Sequence, residues 1–260
     1  MIKILKYSFS DLTRSRWSFI YLAFYLLLGS VLLFLNNDLS KGIITLMNVI
    51  VVLTPMIGTI FGVMYFYNSR EFTELLLAQP VKRSVIFLGQ YLGISISLSL
   101  SLVLGLGLPF LAYGIFRSGE IANFILLLTS GTLLTFIFVA LSICIALFNS
   151  NKIKGFGCAI LMWLFFAVIY DGLVLLSMMV FAEYPLDNFA LIASFLNPID
   201  LSRIMILLKL DISALLGYTG ALFQRFFGTS LGLIASWCML LIWTIVPTVL
   251  LIRKAQRKNF

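Results

Sequence analysis

The chain has 260 residues with a formal net charge of +8, and 62% of the residues are hydrophobic. This share is far above the roughly 45–50% of a soluble domain, so the composition excludes an ordinary soluble fold and requires lipid to cover much of the apolar surface. The sequence contains no histidine, which excludes Ser-His-Asp and Cys-His nucleophile pairs and HExxH zinc sites.

Residues 1–16 are basic and amphipathic. Their pattern predicts a helix that lies on the inner membrane surface before the chain enters the bilayer. A solvated N-terminus anchored by its lysines is the alternative. Apolar side chains recur at helical spacing and basic side chains occupy other positions: Ile2, Leu5, Phe9 and Leu12 against Lys3, Lys6, Arg14 and Arg16.

Six apolar segments follow, and each approaches or exceeds the roughly 20 residues that a transmembrane helix needs. We therefore predict an all-α integral membrane protein with six transmembrane helices in a single domain over residues 1–260. The segments cover approximately 17–35, 43–67, 85–116, 121–148, 156–181 and 228–252.

Basic residues are distributed unevenly between the two sides of these segments. The N-terminus, the 68–84 loop, the 149–154 loop and the C-terminus hold thirteen of the eighteen lysines and arginines. Cytoplasmic segments carry the excess of lysine and arginine in membrane proteins. The sequence therefore predicts a multi-pass protein of the inner (cytoplasmic) membrane of the cell, with both termini in the cytoplasm.

The cytoplasmic 68–84 loop combines a short helical segment with a stop signal. Residues 71–78 favour an amphipathic helix, Pro80 ends it, and Arg83 marks the return to the membrane. Such a helix can dock into a groove of a soluble partner, although an ordinary basic inner loop is the alternative. Its apolar face carries Phe72, Leu75 and Leu76, and its acidic face carries Glu71 and Glu74.

Asp171 lies in the fifth apolar segment, next to Tyr170. A carboxylate in mid-membrane costs about 2.5–3.5 kcal/mol on insertion scales, so it should face protein or water and have a partner. Two interpretations remain open. Asp171 either lines a substrate route or a subunit interface, or it hydrogen-bonds a neighbouring span through Tyr170 or a serine.

The longest connection, residues 182–227, is predicted to face outward. Asn197, Pro198 and Asp200 have the pattern of a helix start, with an N-cap, a proline at the first position and an acid in the first turn. The apolar run that follows is shorter than a span, so it predicts a re-entrant or interfacial helix. A second such helix is expected over 215–227.

The 70–89 stretch resembles the first cytoplasmic loop of ABC-2 type transporter permeases. It reads Arg-Glu-x2-Glu-Leu-Leu-Leu-x2-Pro-Val-x-Arg-x2-Ile-x-Leu-Gly, and the family pattern is an acidic residue, a Glu-Leu-Leu-Leu run, then Pro, Arg and a Gly that opens the third span. In that family the segment is a coupling helix that sits in a cleft of a separate ATPase subunit. The resemblance implies an ATPase contact formed by Glu71, Phe72, Glu74, Leu75, Leu76, Pro80 and Arg83.

Within this family the chain is most similar to the permease subunits of transporters that support the maturation of nitrous-oxide reductase. That resemblance implies a dimer of this chain with two ATPase subunits and a periplasmic protein, and a copper chaperone is a further candidate partner. The outward contact is expected at Asn197, Pro198, Asp200 and Arg203. The residues that carry the resemblance are the coupling stretch, the Tyr170-Asp171 pair and the Asn197-Pro198-x-Asp200-x2-Arg203 run.

No catalytic residue, metal site or bound cofactor is predicted for this chain. Cys144, Cys158 and Cys238 lie far apart without CxxC spacing. No Walker A motif occurs in the sequence, so ATP and Mg²⁺ are expected on the partner ATPase. The alternatives are a drug, lipid or gliding-type export permease, which shares the fold, and an ion-coupled carrier, which would need intramembrane charges in more than one span.

Overall fold

The computed structural model describes residues 2–36, 39–181, 187–209 and 230–257. These residues form helices joined by short turns. A π-helical turn (Phe165–Ile169) joins the seventh helix to the eighth, and a 3₁₀ turn (Ile115–Arg117) follows the fifth. The helices are α1 (Ile2–Arg14), α2 (Arg16–Asn36), α3 (Leu39–Asn68), α4 (Arg70–Leu77), α5 (Arg83–Ala112), α6 (Ile121–Phe148), α7 (Lys152–Leu164), α8 (Tyr170–Val180), α9 (Asp187–Leu196), α10 (Pro198–Lys209) and α11 (Ser230–Arg257).

Six helical segments of the described chain are long and apolar enough to cross a membrane. They are α2, α3, α5, α6, the continuous α7–α8 unit and α11. The prediction of an all-α membrane protein with six spans is therefore confirmed. The predicted outward helix over 215–227 lies outside the described residues.

The third span ends earlier than the sequence predicts. Its apolar run continues to position 116, but the helix stops at Ala112. Gly114 takes a left-handed backbone conformation with φ of 82°, which is a common way to end a helix and is unstrained for glycine. The predicted end of the third span at 116 was therefore wrong. The turn lies inside an apolar run, so hydrophobicity alone does not reveal it.

Two short glycine contacts bring α3 and α6 together at the centre of the bundle. A Cβ on Gly62 would collide with the side chain of Ser142, and one on Gly58 would lie 3.5 Å from the Thr135 carbonyl oxygen. Small residues allow helix backbones to approach closely in a membrane, where packing drives association. The core of the described chain accordingly lies around α3, α5 and α6.

The N-terminal helix α1 is seated on the third span. A Cβ on Gly93 of α5 would lie 2.7 Å from Ser8 Cβ, and one on Gly89 would lie 2.9 Å from Ile4 Cγ2. Ser8 and Leu12 are buried on this face. The apolar face of α1, which the sequence predicts to lie on the membrane, therefore packs in part against α5.

The segments predicted to be cytoplasmic meet at one end of the bundle. Lys152 Nζ donates to Asn68 Oδ1 at 3.1 Å, and Lys254 Nζ lies 4.1 Å from the centroid of the Phe148 ring. Helix α1 lies beside α4 at the same end. This arrangement is consistent with the orientation that the basic residues predict.

Candidate functional site

The helix α4 is the short segment that the sequence singles out between the second and third spans. It begins at Arg70, directly after α3, and its first turn is closed by a hydrogen bond from Thr73 Oγ1 to the Ser69 carbonyl oxygen at 2.8 Å. After Leu77 the chain turns through the exposed Pro80 and re-enters a helix at Arg83. The predicted helix over 71–78 is thus present, displaced by one residue.

The inner face of α4 is held by both neighbouring helices. Gln90 Nε2 of α5 donates to Thr73 Oγ1 at 2.8 Å, and both residues are buried. The Phe72 ring stacks on Tyr7 of α1, with 4.5 Å between centroids and 25° between planes. A displacement of α4 would therefore pull on both α1 and α5.

The outer face of α4 carries an apolar side chain among charged ones. Leu75 is 68% exposed, and Glu71 and Glu74 are exposed beside it. Arg70 Nε donates to Glu74 Oε1 at 2.9 Å, an exposed pair of the kind that contributes only about 0.3–0.5 kcal/mol. This face can therefore meet a partner without disturbing what holds α4 in place.

The residues implied in the ATPase contact divide between these two faces. Glu71, Glu74, Leu75 and Pro80 are exposed, whereas Phe72 and Leu76 are half-buried. Sequence reasoning missed Tyr7, Thr73 and Gln90. In the sequence, Thr73 and Gln90 are recognisable only as polar residues beside apolar runs. That pattern does not predict that they contact each other.

A second group of functional candidates surrounds the π-helical turn of the fifth span. The turn at Phe165–Ile169 leaves backbone carbonyls without their usual helical donors. Asn197 Nδ2 donates to the Phe166 carbonyl oxygen at 2.9 Å. The side-chain amide of Asn197 therefore satisfies a backbone group that the π turn exposes.

Ionic contacts join the fifth span to α10 next to this turn. Arg203 Nη1 lies 2.8 Å from Asp171 Oδ2 and 3.1 Å from Asp200 Oδ1. Asn197 Nδ2 lies 3.1 Å from Asp200 Oδ2 and 3.4 Å from Asp171 Oδ1. We call these four residues the polar cluster.

The break between α9 and α10 places the polar cluster at a sharp corner. The two helices are bent by 115°, and the backbone N–H of Ile199 donates to Asn197 Oδ1 at 3.1 Å. Asn197 is thus the N-cap of α10, with Pro198 at its first position, as the sequence predicts. Together the two helices are long and apolar enough to form either a broken span or a re-entrant loop.

The partner of Asp171 is a charged residue rather than a hydroxyl group. The Tyr170 hydroxyl donates to the Ala193 carbonyl oxygen at 2.8 Å, and Arg203 neutralises Asp171. The interpretation that Asp171 bonds through Tyr170 or a serine was therefore wrong in its partner. Two carboxylates share one guanidinium here, so removal of Arg203 would leave both without a counter-ion.

The four residues expected to contact an outward partner are largely turned into the protein. Asn197 and Pro198 are buried, and Asp200 and Arg203 are partly exposed. Among the described residues, no group of three or more Asp, Glu, Cys or His side chains could hold a metal ion. The outward contact at these positions stays a prediction.

The sequence was compared with models of known protein families and with curated proteins. The sequence model of a family described as ABC-2 family transporter protein matches residues 35–258, which is most of the chain and includes both α4 and the polar cluster. No curated protein matches the chain.

Proposed function

Since this chain belongs to the ABC-2 family of transporter proteins, we propose that it acts as NosY does, as the permease subunit of the ABC transporter that supports the maturation of nitrous-oxide reductase. The family makes it a transmembrane permease subunit that works with an ABC ATPase. The narrower role is supported by the sequence resemblance of the coupling stretch, the Tyr170-Asp171 pair and the Asn197–Arg203 run.

The exposed face of α4 is the observation that carries the coupling role. Leu75 is 68% exposed between two acidic side chains, while Thr73 on the opposite face is fixed to Gln90 of the third span. An apolar side chain rimmed by charges is the usual make-up of a docking surface. A helix that is free on one face and anchored on the other can transmit force.

The mechanism we propose is mechanical. ATP and Mg²⁺ bind to the partner ATPase, a NosF-like subunit, and closure of the ATPase pair moves α4. Because α4 is tied to α1 through the Tyr7–Phe72 stack and to α5 through Gln90, both helices follow it. The spans then rearrange between alternate states.

The proposed assembly contains a second copy of this chain. Only 11% of the fifth span is buried within the described chain, against 67% of the fourth. The fifth span thus has a long apolar surface available to a second copy or to lipid. On the outward side, the α9–α10 corner would meet a NosD-like periplasmic protein, and a NosL-like copper chaperone is a further partner.

Co-purification tests the coupling contact. The variant carrying Leu75→Arg and Glu74→Lys should lose the ATPase, because it places two positive charges on the proposed docking face. Ile153→Arg is the matched control, since Ile153 is 82% exposed at the same end of the bundle and outside α4. Retention of the ATPase by the α4 variant would contradict the proposal.

Mass spectrometry of partners pulled down by the full chain tests the narrower role. An ATPase together with a periplasmic protein of copper or cluster assembly supports the maturation transporter. An ATPase alone supports an export permease for a drug or lipid. Purification without either partner would support an ion-coupled carrier.

A further inference from the structure

Two cavities that share Trp17 in their linings lie between α1, α2 and α3, beginning at the end of the bundle that is predicted to be cytoplasmic. The first has a volume of about 500 Å³ and is bordered by α1, the start of α2, the end of α3 and α4. The second has a volume of about 320 Å³ and runs between α2 and α3. Trp17 lines both, so the two cavities are neighbours at this side chain.

The first cavity presents one negative and one positive side chain. Asp11 and Arg14 both line it, and a spacing of three residues places them on the same face of α1. Both are exposed. Within the part of the chain that the structure describes, neither takes part in an ion pair or a side-chain hydrogen bond. This pair of charges is complementary to a zwitterion.

The second cavity is suited to a hydrocarbon chain. It is lined by apolar and aromatic side chains, among them Ile20, Phe24, Met56 and Ile57. From Trp17 to Phe24 the helix rises by about 10 Å, which is enough to accommodate several methylene groups. Trp17 borders both cavities, and tryptophan favours the level of lipid headgroups.

We infer that the two cavities bind one phospholipid with an amine-bearing headgroup. Its phosphate meets Arg14, its ammonium group meets Asp11, and one acyl chain lies in the groove between α2 and α3. An anionic headgroup such as glycerol phosphate would leave Asp11 without a cation. A quaternary ammonium group would offer Asp11 no hydrogen-bond donor.

The location gives this lipid a contact with the coupling helix. Phe72 and Ser69 also line the first cavity, so the headgroup would lie between the surface helix α1 and α4. The inference does not depend on what the transporter carries, because it rests on charges and an apolar groove at the membrane surface.

Lipid titration of the full-length chain tests the inference. The protein is delipidated in detergent and titrated with phosphatidylethanolamine, phosphatidylcholine and phosphatidylglycerol, and the bound lipid is counted by native mass spectrometry. We expect phosphatidylethanolamine to bind about tenfold more tightly than the other two, as one charge-assisted hydrogen bond would give. Equal binding of the three lipids, a preference for phosphatidylglycerol, or no binding would overturn the inference.

Four variants locate the site, with the thermal midpoint as a check that each one folds. Arg14→Gln should weaken phosphatidylethanolamine binding about tenfold, and Asp11→Asn should abolish the preference over phosphatidylcholine. Ile57→Trp should weaken all three lipids by filling the groove. Lys6→Gln removes a charge from an exposed position of the same helix outside the cavity and should change nothing. An Arg14→Gln protein that behaves like Lys6→Gln would contradict the assignment.

Discussion

Arg203 of α10 and Asp171 of the fifth span form an ion pair, with 2.8 Å between Nη1 and Oδ2. The side chains are about three quarters buried, and Asp200 shares the same guanidinium at 3.1 Å. This pair, with Asn197, fastens the corner between α9 and α10 to the π turn of the fifth span. A movement of the fifth span would therefore carry α9 and α10 with it.

Loss of Arg203 should destabilise the protein more than loss of Asp171. Arg203→Gln leaves the carboxylates of Asp171 and Asp200 without their cation, and we expect a loss of about 2–3 kcal/mol. Asp171→Asn leaves Arg203 paired with Asp200, and we expect about 1 kcal/mol. The thermal midpoint of unfolding in detergent should therefore be lower for Arg203→Gln than for Asp171→Asn. Arg117→Gln, which removes an exposed arginine on the side predicted to face outward, is the control. An Arg203→Gln midpoint equal to that of this control would contradict the role of the polar cluster.

Enlarging the side chain at position 93 should detach α1 from α5. A Cβ at this position would lie 2.7 Å from Ser8 Cβ and 3.0 Å from the Phe9 backbone nitrogen, so Gly93→Leu requires α1 to move away, at a cost of about 1–3 kcal/mol. Hydrogen exchange should rise over residues 2–14. Gly107→Leu on the same helix has open space around its Cβ and should leave this exchange unchanged; similar exchange in both variants would show that Gly93 does not seat α1.

Removal of the Thr73 hydroxyl should loosen α4. Thr73→Val keeps the shape of the side chain but leaves the buried Gln90 amide without its acceptor, which we expect to cost about 1–3 kcal/mol. Hydrogen exchange over residues 70–77 reports the change. Thr45→Val is the matched control, because the exposed Thr45 hydroxyl donates to the Lys41 carbonyl oxygen of its own helix. Equal protection of α4 in the two variants would argue against the Thr73–Gln90 anchor.

The aromatic stack between Tyr7 and Phe72 should couple α1 to α4 energetically. A double-mutant cycle with Tyr7→Leu and Phe72→Leu is expected to give an interaction of about 0.5–1.5 kcal/mol. Thermal midpoints of the four proteins supply the cycle. Strictly additive effects would mean that the stack at 4.5 Å does not join the two helices.

Much of the architecture follows from the sequence. The hydrophobic runs predict all six spans, because each has about the length, roughly 20 residues or more, that a helix needs to cross the bilayer. The start of α10 follows from Asn197 and Pro198, whose side chain and ring produce an N-cap and a first turn by local chemistry alone. The short helix between the second and third spans follows from its periodicity and Pro80.

The assembly of the site does not follow from the sequence. Asp171 and Arg203 are 32 residues apart and lie in elements that the sequence assigns to different environments, one in the membrane and one outside it. They meet because α9 and α10 turn by 115°, an angle that no local pattern specifies. The sequence does not predict the π turn either, because no proline or glycine occurs within Phe165–Ile169.

Photo-crosslinking from α4 tests most directly whether this helix is the contact with the ATPase. A photoreactive amino acid is introduced in place of Leu75 on the exposed face and, as a control, in place of Ile153 at the same end of the bundle. We expect a crosslink to the ATPase subunit from position 75 that is much stronger than the crosslink from position 153. Equal labelling from both positions, or labelling from 153 alone, would contradict the assignment of α4 as the coupling helix.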